Sequence, residues 1–328
     1  MSRILRFSNR AEWLAARQWG LGASDLRCLL GEGYAGESPL QLQLEKLGEI
    51  EPAAETDEER ERWADAADAE EFGLRIFARK SGRRVARDKQ PTIRLHRRFP
   101  EVPMFATLDG WAATSGEEGP AVIECKDVGL WAAADWRDDE APLKHKIQVQ
   151  AQLAVTDWDH GYLVGMMAGR PQIRRVERDG DFIAWLESFA SVWWRNHMID
   201  RIPAPPDASE ATRRALLRLH PDDDGLAVRL DADISRIYRE LRDLKAVAKQ
   251  AEEQIALREN QLRAALGPHS FGRTDCGEWI SYRTVERKGY TRVVEPSKGR
   301  TLYLGYKSVP RDVEFVEDTA ADELTAAG

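Results

Sequence analysis

Cysteine is scarce. Cys28, Cys125 and Cys276 are the three in 328 residues, widely spaced and odd in number, so neither a disulfide framework nor a zinc cluster is indicated. Long apolar runs are missing too: the longest, around Gly161 to Gly169, is half of the ~18 residues a membrane helix needs, which argues against a membrane protein. The opening MSRILRFSNRAEW is broken by charge before it could act as a signal peptide, so a reducing cytoplasm is the expected location. Histidines such as His96, His145, His160 and His197 are scattered and give no metal-ligand spacing. Positive charge is not in excess either; a net charge of −8 and a pI near 5.5 exclude a protein coated with lysine and arginine for indiscriminate nucleic-acid binding.

What is present describes a globular chain. Apolar residues make up 42% and charged residues 32%, with mean hydropathy −0.54. The length is about twice that of a ~150-residue domain, so one large domain with an appendage or two unequal domains are expected. The charge is unevenly laid out. Glu49 to Glu71 holds eleven acids against Arg60 and Arg62, and Arg75 to Arg98 holds ten basic residues against Asp88 alone. Two solvated faces that attract one another would explain this. So would a phosphate-tracking basic surface, which gains affinity by counterion release.

The hydrophobic period changes along the chain. AEWLAARQ, DLRCLLG and SPLQLQLEKLG read as helices around a glycine-rich turn, with Ser24 as N-cap and Asp25 in a first helical turn; residues 57 to 81 are again helical, closed by Gly82. Short strands are expected near Arg83–Val85, Thr92–Arg97, Phe105–Ala113, Ala121–Cys125 and Gly161–Met167, and helices over Lys144–Val155 and Phe182–His197. The stretch IPAPPD, Ile202 to Asp207, marks a boundary. Beyond it Ile234, Ile237, Leu241, Leu244, Ala248, Ala251, Ile255 and Leu262 alternate spacings of three and four, interrupted at Arg258. This heptad predicts a long helix, more readily folded back as a hairpin than used for oligomerisation, ended by Gly267-Pro268. A small antiparallel sheet is expected in EWISYRTV, TRVVE and TLYLGY, and the acidic, alanine-rich last ~15 residues should fray.

The chemistry concentrates in MFATLDGWAATSGEEGPAVIECKD. Asp109 ends an apolar strand-like run, and in VIECK the period of two puts Glu124 and Lys126 on one face and Cys125 on the other. If the two strands pair as a hairpin, Asp109 meets Glu124. Two carboxylates ~5 Å apart at an effective dielectric of ~20 repel by about 3 kcal/mol, so a cation or a proton must enter. All-oxygen ligands select a hard ion, Mg²⁺ with Mn²⁺ as substitute, and an adjacent lysine can orient an attacking water or stabilise charge on phosphorus. Taken alone, the D-x14-E-x-K spacing is equally readable as a surface salt bridge.

The stretch resembles the PD-(D/E)XK nuclease signature, with Leu108 in place of its proline, and residues 10 to 205 resemble the YqaJ-type viral recombinases related to phage lambda exonuclease. The opening matches that family's W-x3-R-x6-S-D/E pattern at Trp13, Arg17, Ser24 and Asp25; the resemblance implies that Arg17 and Ser24 contact a terminal 5′ phosphate. Counting twelve back from Gly82, where the family has a glutamate, gives Glu70, with Glu71 as the neighbouring alternative. Ile147 to Gln150 resemble the family's QVQ element, which implies that Gln148 lies beside Lys126; Gln152, one turn on, could face the same way. Trp131 and Trp136 fall where the family often carries aromatics and are assigned to packing.

The expected fold is therefore α/β: a restriction-endonuclease-like core with a mixed sheet flanked by helices over residues 1–207, a helical or coiled-coil extension over 208–266, a β-rich module over 267–310 and a flexible tail over 311–328. Asp109, Glu124, the Cys125 carbonyl and Glu70 are the expected metal ligands. The activity implied by the resemblance is 5′-to-3′ digestion of linear double-stranded DNA, by a homo-oligomer that encloses the duplex, for a single-strand annealing protein. Two other readings remain open at this point: an endonuclease or RecB-like module of a larger complex, and an inactive assembly protein acting through the heptad helix.

Overall fold

The computed structural model describes residues 2–34, 36–52, 56–129, 134–136, 140–167, 170–289, 300–302, 304 and 315–316. Trp131, the expected strand TRVVE and all but residues 315–316 of the expected tail lie outside these. The chain divides into two units, Met1–Leu219 and His220–Gly328.

In the first unit a five-stranded mixed sheet runs in the order β3 (Val85–Ala86), β6 (Gly110–Ala112), β7 (Ala121–Val128), β8 (His160–Met167), β9 (Arg170–Glu177). Only β7 and β8 are parallel, and helix α5 (Leu143–Thr156) lies between them in the chain, as a parallel connection requires. A second sheet takes β1 (Arg3–Arg6), β4 (Thr92–Leu95), β5 (Met104–Ala106) and β2 (Leu21–Gly22) in that order. The expected single strand Phe105–Ala113 is thus two, β5 and β6, in different sheets. Asp109 sits at the switch, immediately before Gly110, where an added Cβ would come 2.7 Å from Leu74 Cδ2.

Two cores sandwich the main sheet, and β7 feeds both by strict alternation. Ala121, Ile123 and Cys125 join Leu74, Ile76 and Phe77 of α4 (Asp57–Ser81) on one side. Val122 joins Val149, Leu153 and Ala154 of α5 on the other, with Leu26 of α2 (Ala23–Arg27) and Leu186 of α6 (Gly180–Trp194). Each wholly buried leucine of this kind contributes about 1.5–3 kcal/mol through area removed from water. Helix α4 matches the sequence expectation at both ends: Thr56 and Glu59 form a capping box, and Gly82 closes it at φ +69°.

Three further departures have physical causes. Ser24 is not an N-cap: Gly22 holds that position, and Asp25 Oδ2 accepts from its N–H at 2.8 Å. Strand β9 was not expected because its residues are largely half-buried or exposed and charged, as suits the sheet edge. The first unit continues past the Pro-rich stretch to α7 (Glu210–Leu219), whose Ala215 packs with Leu40 and Leu44 of α3 (Pro39–Leu47) and with Ile50 and Ala204. The boundary therefore falls after Leu219 rather than at 207.

In the second unit, β10 (Ala227–Val228) precedes the 35-residue helix α8 (Ala232–Leu266), capped by Asp231. A short antiparallel pair follows, β11 (Phe271–Arg273) and β12 (Trp279–Ser281), and β13 (Phe315–Val316) pairs with β10. Among the described residues of α8 only Leu266 is buried, so the expected hairpin partner is not seen there.

Candidate metal centre

The β6–β7 register, Gly110 opposite Ile123, makes Asp109 and Glu124 the next residues in line. The Asp109 carboxylate accepts from the Cys125 backbone N–H at 2.8 Å, so it leans on β7 at the level of the E-x-K motif. Glu124 faces the α5 side and is almost wholly enclosed, with a side chain 1% exposed. Lys126 Nζ lies 2.5 Å from its Oε1, which also accepts from Gln148 Nε2 at 2.7 Å; its Oε2 accepts from Gln152 Nε2 at 2.6 Å. Gln148 and Gln152 are one helical turn apart on α5, so both glutamines fix the plane of one carboxylate. Gln152 Oε1 is buried with no partner among the described residues. The Cys125 thiol packs on the opposite face beside Gly73 of α4.

Glu70 approaches from α4. Burial pushes its carboxyl above the usual range, and the charge of Glu124 adds to this. Glu71, the alternative, is exposed and pairs with Arg87 at 3.6 Å instead. Asp109 is pushed well above its ordinary value, first by burial and then by the charges of Glu124 and Glu70. Burial alone would lower the Lys126 ammonium, but Glu124 and Asp109 hold it above its usual value, so it stays charged. The site is short of positive charge even with Lys126 in it.

Among the described residues no group of three or more His, Cys, Asp or Glu side chains has an arrangement that could hold a metal ion. The chemistry nevertheless fits a hard divalent cation. The donors are all oxygen, and Glu70 and Asp109 are both held toward their protonated forms, first by burial and then by the charge of Glu124, a repulsion that a cation would relieve.

A cleft of about 480 Å³ opens onto Glu70 and Asp109 and is lined by Arg10, Trp13, Arg87 and Lys89 among others. The basic segment is thus split between two duties. Arg83 and Arg94 are buried and bound inward, to Glu118 and Asp88 respectively, whereas Arg87 and Lys89 reach the cleft. Glu71 to Arg87 is an ion pair between the acidic and basic segments.

Arg17 and Ser24 come together at the rim of α2. Arg17 Nη2 lies 3.4 Å from Ser24 Oγ and 4.0 Å from Asp25, with its guanidinium over the Trp13 ring at 4.8 Å. Sequence reasoning missed Lys46 of α3, whose Nζ bonds Asp25 at 3.0 Å and the carbonyls of Arg17 and Gly20 at 2.8 Å each. Burial would raise the Asp25 carboxyl, but Lys46 and Arg17 together lower it. No spacing in SPLQLQLEKLG marks Lys46 for this role. The pocket of about 180 Å³ beyond Ser24 has Asp25, Glu37 and Glu45 in its wall, which disfavours an anion there.

Against known proteins, residues 12–159 match the model of the YqaJ-like viral recombinase domain. The YqaJ protein of Bacillus subtilis (strain 168) is 26% identical over 259 residues, covering 75% of this chain and 77% of that one. Among solved structures, an alkaline exonuclease from Laribacter hongkongensis, LHK-Exo, in its complex with dAMP aligns over 58% of this chain and 94% of its own, at 18% identity and a TM-score of 0.48. A phage-related exonuclease from Haemophilus somnus 129PT aligns over 56% and 96%, at 14% identity and a TM-score of 0.39.

Proposed function

Because residues 12–159 match the model of the YqaJ-like viral recombinase domain, we propose that the chain is a divalent-metal-dependent deoxyribonuclease that digests linear double-stranded DNA from the 5′ end. The observation that carries this reading is the convergence of Asp109, Glu124, Lys126 and Glu70 around the middle of β7. Asp109, Glu124, Glu70 and the Cys125 carbonyl would hold Mg²⁺, with Mn²⁺ able to replace it. When bound, such an ion supplies an activated water and neutralises charge on the scissile phosphate.

The protein's own groups do the rest. Gln148 and Gln152 hold the Glu124 carboxylate in one orientation. The Lys126 ammonium, charged throughout, directs a water toward phosphorus and stabilises the added negative charge there. Arg10, Arg87 and Lys89 line the cleft through which a phosphate backbone can reach the acids. Arg17 and Ser24 hold the terminal 5′ phosphate, with Lys46 keeping Asp25 ionised and turned inward. An overall acidic protein can still bind DNA this way, since only the cleft needs positive potential. A homo-oligomer enclosing the duplex, a single-strand annealing protein as recipient of the product, and a cytoplasmic setting complete the reading. No helix among the described residues is long and apolar enough to cross a membrane.

The test is digestion of linear duplex DNA with Mg²⁺ by wild type, Lys126→Ala and Asp109→Asn, with EDTA controls. Loss of cleavage in both variants is expected, and full metal-dependent cleavage by either would refute the site. Covalently closed circular DNA should survive; its cleavage would favour an endonuclease. Equal rates on 5′-phosphate and 5′-hydroxyl ends would remove Arg17 and Ser24 from their role.

A further inference from the structure

Helix α8 presents an apolar seam that nothing among the described residues of its own unit covers. Ile237 is 52% exposed, Leu244 66%, Ile255 59% and Leu262 46%, and all four fall on the heptad positions of a helix roughly 50 Å long. Leaving such a stripe in water is unusual for a folded protein.

We propose that this seam is the interface for a second copy of the same chain, bound antiparallel. The argument rests on three features of α8. First, the seam is self-complementary when reversed. Setting Ala248 against the second copy's Ala251 places Leu244 against Ile255 and Ile237 against Leu262, so the small residues meet at the centre and the large ones meet on either side. Second, Arg258 occupies a core position. A parallel pair would stack Arg258 on Arg258 in a desolvated layer, with like charges facing. The antiparallel pair instead sets it level with Leu241 and beside Glu240 of the other copy. Third, the flanking charges agree. Lys245 and Glu252 make no ion pair among the described residues, unlike neighbours such as Lys249 with Glu253 and Arg263 with Glu259. In the antiparallel register Lys245 of each copy faces Glu252 of the other, giving two equivalent pairs about a two-fold axis.

The inference does not depend on the nuclease reading, because its readouts are mass and pairing rather than activity. Full-length Lys245→Glu and Glu252→Lys each place like charges at both flanking contacts, and should raise the dissociation constant of the α8-mediated pair roughly tenfold. Mixing these two variants in equal amounts restores both contacts only if the helices are antiparallel. With different affinity tags, native mass spectrometry should then show mixed-tag assemblies above the random proportion seen for two tagged wild types. A random proportion overturns the antiparallel register. Leu244→Asp should halve the assembled mass relative to wild type, with circular dichroism reporting that α8 persists. An unchanged mass would show that the seam is not an interface between copies and would overturn the proposal.

Discussion

Helices α5 and α8 both carry apolar side chains and meet opposite fates. In α5, ten of fourteen residues are buried, among them the polar His145, Gln150 and Gln152; in α8, one of thirty-five is. The contrast teaches that a hydrophobic stripe specifies a face and leaves the partner to be found elsewhere. For α5 the partner is β7 and its neighbours in the same unit. Once the helix is enclosed, its polar side chains have to find donors and acceptors in the protein, and those of Gln148 and Gln152 find Glu124. A site is thus assembled as a by-product of satisfying buried polarity. On α8 the polar side chains are exposed within their own unit, and exchanging them should cost the first unit little.

That difference can be broken or sharpened by substitution. The largest effect is expected in the middle of β7: Lys126→Ala should lower the rate on linear duplex DNA by about 10²–10³-fold, measured under single-turnover conditions, and should also lower the melting temperature, because the enclosed Glu124 loses its counter-ion. Next comes α5 itself. Gln152→Leu removes the donor to Glu124 Oε2 and should destabilise the first unit by about 1–3 kcal/mol in urea titration, and lower activity by roughly 10–100-fold. A rise in stability would mean that the buried glutamine is no support for Glu124.

Asp109→Asn should separate stability from function. Removing one of two mutually repelling buried acids should raise the metal-free melting temperature by about 2–4 °C while abolishing cleavage. His145, in the first turn of α5, gives a pH signature. Burial first, and then the charges of Lys126, Lys144 and Arg27, lower it from 6.5 to about 3. The folded form is therefore the poorer proton acceptor, so its stability is complete above pH 6.5 and declines as pH falls from there toward 3. His145→Gln should flatten the urea midpoint across that window, and an unaltered pH profile would show the histidine to be solvated. The smallest effect belongs to α8, where Leu244→Ser should move the unfolding of the first unit by less than ~0.5 kcal/mol.

The sequence made legible whatever is local or periodic. The period-two reading of VIECK separates Cys125 from Glu124 and Lys126 because β7 alternates without a bulge, and the D-x14-E spacing spans a hairpin whose register does align Asp109 with Glu124. The glycine at 82 fixed the end of α4 and, by counting back, singled out Glu70, which faces the acids while Glu71 faces Arg87. Other features depend on distant partners. Lys46 reaches Asp25 from α3 through a tertiary contact with no sequence signal. The switch between sheets after Ala106 is hidden because the apolar run continues through Leu108. Helix α7 lies beyond a Pro-rich stretch that reads as a boundary, and belongs to the first unit only because small residues fit it against α3.

The central claim is that two acids beside Lys126 take up a divalent cation at the middle of β7. It is tested most directly by calorimetric titration of Mg²⁺ into Lys126→Ala protein bound to a 5′-phosphorylated duplex, a complex that should not turn over. The account predicts saturable uptake that disappears when Asp109→Asn is added to the same background. Absence of uptake, or equal uptake by both proteins, would contradict it.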